Sequence, residues 1–174
     1  MGYGTVIAGL VVVGMIIISA HITFQSEFDT ATTIADNTRN IREVSYNIAK
    51  MQLTVTSANI INGTDTVAVT VENDGNEKIL LSDYDNIDVI SQYTSSGSTY
   101  ANWNKYTSSD VASLNANEWT NVSIFPDSIN PGIFDPGEEL DIMIKIPGVG
   151  SADTCWIQVT TPYGKSSAQM ATIP

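Results

Sequence analysis

The sequence predicts an α+β protein: a long N-terminal hydrophobic helix followed by an antiparallel β domain. Three observations carry this. From Tyr3 to Phe24 the chain runs 22 residues without Lys, Arg, Asp or Glu. Between Gly14 and Gly63 there is neither Gly nor Pro, so a helix begun in the apolar run meets no breaker. After Met51 the apolar period changes from helical to alternating, which is the signature of strands.

The apolar run comes first. At 1.5 Å per residue, 22 residues make about 33 Å of helix, the thickness of a bilayer's hydrocarbon core. Ten of the sixteen residues from Thr5 to Ala20 are Val, Ile, Leu or Met. At about −0.3 to −0.6 kcal/mol each, they favour insertion by a few kcal/mol. A helix apolar on every side suits lipid or the centre of a helix bundle, not water. Val6, Leu10, Val13, Ile17 and Phe24 are the candidate residues for contact with a lipid bilayer or with neighbouring helices. Gly4 and Ala8 add one small-xxx-small spacing that lets helices approach closely. "MGYG" supplies no basic residue ahead of the run, so a cleavable secretory signal is not expected, although "ISA" at 18–20 has the small residues such cleavage uses.

The helix is expected to continue through "QSEFDTATTIADNTRNIREVSYNIAKM". Here Ile34, Ile41 and Ile48 recur every seven residues, with Val44 and Met51 three further on, giving an apolar seam on a polar helix. Asp36, Arg39 and Glu43 are spaced to support one another on the exposed side. The seam is expected to pack on the domain behind it, the alternative being a contact between chains and self-association. The organisation predicted is a hydrophobic transmembrane or filament-core helix over 1–25, an amphipathic helical stalk over 26–50 and a β domain over 51–174.

In the β domain, "TVAVTVEN" sets Val67, Val69 and Val71 on one face, and "ELDIMIKIP" sets Leu140, Ile142, Ile144 and Ile146 on one face. Turn chemistry separates the runs: "NGTD" at 62–65, "NDGNE" at 73–77, "SSGS" at 95–98, "NPG" at 130–132, "DPGE" at 135–138 and "PYGKS" at 162–166. Seven or eight short strands at this spacing predict an Ig-like antiparallel β-sandwich. Residues 94–118, rich in Ser, Asn, Thr and Tyr, read as a long loop or an excursion offering Tyr100, Trp103 and Tyr106 for contact.

Composition excludes several classes. The net charge is −12 and the seven basic residues are scattered, which disfavours nucleic acid and anionic surfaces as partners. One cysteine, Cys155, allows neither an internal disulfide nor a multi-thiolate metal site; it and the lone His21 are expected to be packing residues. "SDYDNID" brings Asp83, Asp85 and Asp88 together without the EF-hand pattern or its glycine, so it reads as a solvated turn rather than a Ca²⁺ site. "DPGEELD" reads as a turn entering a strand with acidic outward residues. No nucleophile stands beside a base, so no catalytic residue, metal site or cofactor is expected. Asn62-Gly63-Thr64 and Asn121-Val122-Ser123 are glycosylation acceptor sequences near expected turns.

An uncharged helix that begins almost at Met1, a polar helical stalk and a closing β domain together resemble archaeal proteins of the type IV pilin superfamily, and within it the archaellum (archaeal flagellum) components. "MGYGTVIAGLVVVGMIIISA", "VTVENDGNEKILLSD", "FDPGEELDIMI" and "IQVTTPYGKSSAQ" look most like the archaellar stator group F and its relative G. The resemblance implies a protein of the archaeal cell envelope, tethered in the membrane, with its β domain in the pseudoperiplasm against a surface-layer protein or archaellar protein G. It also implies an alternative, an archaellin- or pilin-like filament subunit whose helices bundle into the fibre core. Two departures bear on that alternative: no "KG" or "RG" leader precedes the apolar run, and Thr5 stands where bacterial-type pilins carry an acid.

Overall fold

The computed structural model describes residues 2–152 and 154–173. Its contacts divide the chain into two compact units, with the boundary between Ser45 and Tyr46. A single helix, α1, runs Tyr3–Lys50, 48 residues with no break between the apolar and polar stretches. Thr23, Thr30, Thr33 and Thr38 each donate the hydroxyl to the carbonyl four residues back, at 2.7–2.9 Å. Lys50 closes the last turn, where a cation meets the negative end of the helix dipole.

Eight strands follow: β1 Leu53–Ile60, β2 Thr66–Asn73, β3 Asp88–Ser95, β4 Ser98–Tyr106, β5 Glu118–Phe125, β6 Glu139–Lys145, β7 Thr154–Thr160 and β8 Ser166–Thr172. The expected sandwich is corrected here, because the strands close into a barrel in the order β1-β2-β6-β5-β4-β3-β7-β8. Within β1-β2-β6-β5 and within β4-β3-β7-β8 every pairing is antiparallel. The two groups are then joined by short parallel seams: Lys105↔Glu118 and Tyr106↔Trp119 between β4 and β5, and Asn59↔Thr172 between β1 and β8. The strands at the two ends of the first group carry the irregularities, in β1 between Val55 and Ser57 and in β5 between Asn121 and Ser123. A bulge bends its strand and increases the local twist, which turns these strands toward the second group.

The alternating runs lie where their period puts them. Val67, Val69 and Val71 pair with Ile144, Ile142 and Leu140, and all six are buried. At about 1.5–3 kcal/mol for each buried aliphatic side chain, this pair of strands is a large part of the core. Trp119, Tyr84 and Phe134 fill the interior, and Tyr106 meets Tyr84 edge-on at 5.5 Å and Trp119 at 4.7 Å. The long loop expected over 94–118 is a second correction: residues 98–106 are β4, and the irregular connection begins at Thr107. The strand hid because its one fully buried side chain is polar, Asn104.

The start of the β domain is fastened to the turn after β2. Asn76 N–H donates to the Lys50 carbonyl at 2.6 Å, and Gly75 N–H to that of Gln52 at 3.1 Å. Lys50 Nζ meets Glu77 Oε1 at 2.6 Å and lies over the Tyr46 ring; the Glu77 hydrogen bond raises the lysine pKa. Only glycine fits at 75, since a Cβ there would stand 2.5 Å from the Lys50 carbonyl oxygen and 2.6 Å from the Gln52 nitrogen.

Candidate functional site: the apolar helix surface

The candidate contact residues of the apolar run all lie on α1 and all face outward. Val6, Leu10, Val13, Ile17 and Phe24 are 54–68% exposed. Val11, Val12, Met15, Ile16, Ile18 and Ile22 are exposed as well, so apolar surface runs around the whole circumference. Gly4, Gly9 and Gly14 have open space where a Cβ would stand. The helix is long and apolar enough to cross a bilayer. Along the helix the backbone bonds to itself, and Thr23 returns its hydroxyl to the Ser19 carbonyl at 2.9 Å. A dry environment therefore suits the backbone of this segment, whereas water leaves its large apolar side chains exposed.

Further along, Ile34, Ile41 and Val44 are exposed, Ile48 is half-buried and Met51 is buried.

The remaining candidates sit apart from one another. His21 is exposed on α1, while Cys155 is fully buried in β7. Burial pushes the Cys155 thiol up to about 12, which removes it as a nucleophile at neutral pH. Asp83 and Asp85 lie in a short 3₁₀ turn, Leu81–Asn86, and Asp88 begins β3, where its Oδ1 accepts the Trp103 indole N–H at 2.9 Å. Among the described residues no three His, Cys, Asp or Glu side chains are grouped to hold a metal ion. Asn62 is exposed in the β1–β2 turn, where the Thr64 hydroxyl donates to the Ile61 carbonyl at 2.8 Å. Asn121 lies on β5 rather than in a turn, and its Oδ1 accepts the Tyr106 hydroxyl at 3.0 Å.

Residue reasoning missed the role of "DPGEELD". Asp135 and Glu138 are buried, and the Glu138 carboxylate accepts the backbone N–H of Asp135 at 3.0 Å and of Ser128 at 3.2 Å. Asp135 in turn holds the Asn130 amide at 2.9–3.0 Å, and Asp127 holds Gly132 N–H. These carboxylates organise the β5–β6 loop, in which Ile129 is exposed, as is Phe125 at the end of β5. The signal available was an acid three residues after Asp135 across a Pro-Gly turn, a spacing at which a carboxylate can return to the turn's own N–H groups.

No protein-family model matches the chain, and no curated protein matches it. Solved structures do. The complex of archaellum periplasmic stator proteins FlaF and FlaG from Sulfolobus acidocaldarius aligns at 22% identity and a TM-score of 0.43, over 68% of this chain and 87% of that one. The archaellum periplasmic stator protein FlaG from the same organism aligns at 20% identity and 0.42, over 69% and 98%. The archaeal flagellin FlaB1 from Methanocaldococcus jannaschii aligns at 16% identity and 0.45, over 71% and 90%.

Proposed function

We propose that this chain is a non-enzymatic structural component of an archaellum- or pilus-like surface machine, acting as a membrane-tethered stator or anchor. The observation that carries the reading is the row of exposed large apolar side chains on α1 from Val6 to Phe24, in a chain whose β domain has a hydrophobic core of its own. A helix of that kind finds its free-energy minimum only when water is removed from all of it. The sequence motifs given above agree with this class. In this reading the first part of the helix lies in the bilayer. The β domain stands outside the cell membrane and contacts a surface-layer protein or a partner such as archaellar protein G.

A second reading is supported by Ile34, Ile41 and Val44, exposed well past the length a bilayer needs. A filament subunit would cover both the apolar run and this stripe with neighbouring helices, in the manner of a bundle. Shearing cells, pelleting the released fibres and probing both fractions separates the two. An anchor remains with detergent-extractable membrane; abundance of the chain in the fibres overturns that role in favour of the filament.

A further inference from the structure

The outer surface of β4-β3-β7-β8 is unlike the rest of the β domain. Because alternate residues of a strand share a face, the register aligns Ala101, Gln92, Trp156 and Met170 in one outward row. The next row is Trp103, Ile90, Gln158 and Ala168. Neither row contains a charge, in a chain whose net charge is −12. The outward positions of β2 and β6, by contrast, carry Glu72, Glu139, Asp141 and Lys145. Beside Trp156 and Met170 the uncharged surface sinks into a depression of about 340 Å³, edged by Gln92, Thr94 and Thr154.

Three features make this depression a site rather than a stretch of surface. Trp156 is half-buried and Met170 is 48% exposed, so an aromatic and an apolar wall face the solvent. Among the described residues, no hydrogen bond uses the Gln92 amide or the Thr154 hydroxyl, so two donors and an acceptor on the amide stand ready. Trp103 is 56% exposed yet held in place, its indole N–H bonded to Asp88 at 2.9 Å. Two strands across and two residues along, the backbone positions of Trp103 and Trp156 are roughly 12 Å apart by strand geometry.

We propose that this face binds a neutral oligosaccharide chain. The C–H face of a sugar ring lies on the Trp156 indole, its hydroxyls meet the Gln92 amide and the Thr154 hydroxyl, and a further sugar reaches Trp103. Among the described residues that line the depression none is charged, and Asp88, farther along the face, is engaged by the Trp103 indole, so the depression offers no described group to pair with a phosphate, a carboxylate or an ammonium group. The backbone groups of β3 and β7 are already used within the sheet, which closes the route of strand addition open to a peptide. The proposal is independent of whether α1 ends in lipid or in a fibre.

The test uses the full chain in a polyoxyethylene detergent, run by native affinity electrophoresis through gels containing dextran, yeast mannan, galactan or hydroxyethylcellulose, with heparin as the polyanion control. Retardation is expected by at least one neutral polysaccharide and not by heparin. W156A is expected to weaken it at least tenfold, Q92A three- to tenfold, and W156F to restore part of what W156A loses. T56A, on β1, is expected to change nothing. Circular dichroism establishes that each variant is folded. No retardation by any of the neutral polymers, retardation unchanged in both folded W156A and Q92A, or a preference for heparin overturns the proposal. Binding of a hydrophobic dye at this face without polysaccharide binding also overturns it, marking the surface as a protein contact.

Discussion

Aspartate placed at Val13, midway along the apolar run, tests what surrounds the helix. A central Val contributes about −0.3 to −0.6 kcal/mol to insertion and Asp opposes it by about 2.5–3.5, so Val13→Asp shifts the balance by roughly 3–4 kcal/mol. That is on the order of 10²–10³ in partitioning, comparable to the whole net preference of the run. Val11 and Val12 are exposed like Val13 and point about 100° apart around the axis. In lipid, all three positions meet hydrocarbon, so the three single Asp variants lose association with carbonate-washed membranes alike. In a bundle, loss follows the helical period, with the variant facing outward spared. The assay is the membrane-retained fraction of each variant at equal expression. If Val13→Asp is retained as well as the parent chain while its β domain remains folded, the run is not what holds the protein, and the reasoning fails.

Glu138→Ala removes a buried acceptor from two backbone N–H groups; at about 1–3 kcal/mol for a buried polar group left unpaired, a loss of about 2–4 kcal/mol in urea unfolding is expected, and a loss below 0.5 kcal/mol would show that water replaces the carboxylate. Burial raises the Cys155 pKa from 9.0 to about 12 and also raises that of Tyr84. Both groups keep their protons in the folded state after the unfolded chain has released them, so stability is fully present below pH 9 and falls as the pH rises toward about 12. Unfolding midpoints measured from pH 7 to 11 check this, and a flat profile contradicts it. If the β domain meets an oligosaccharyl-transferring machinery, the peptide bearing Asn62 is expected to gain mass and that bearing Asn121 is not, because Asn62 is exposed in a turn whereas Asn121 is half-buried within β5, paired to β6; peptide mass spectrometry of the native protein decides, with modified Asn121 as the contrary result.

Much of the architecture was legible because it depends on local rules. Residues 15–62 contain no Gly or Pro, and the helix runs on through Lys50. β2 and β6 announce themselves by alternation, and their apolar faces pair as that alternation requires. β4 does not, since inward Asn104 and outward Trp103 reverse the expected pattern. The closure into a barrel was out of reach for a different reason. It depends on bulges in β1 and β5 and on pairings of one or two residues, none of which has a hydrophobic signature. The apolar run at the candidate site was plain from its lack of charge. The buried carboxylates of the β5–β6 loop were not, because an acid in a Pro-Gly turn reads as solvated until its backbone partners are seen. The saccharide-binding face was equally hidden, since Trp156 and Met170 are brought side by side only by the register of β7 and β8.

The fastening around Gly75 bears on how the chain would carry force in the anchoring role proposed above. A component that holds against a moving neighbour must pass tension along its backbone without a slack joint. Here the chain entering β1 is stitched to the next turn by two main-chain bonds and a lysine–glutamate clasp, so strain arriving along the backbone is shared with β2 before β1 can peel. A methyl group at position 75 would prise that stitch apart and turn the attachment into a weak link.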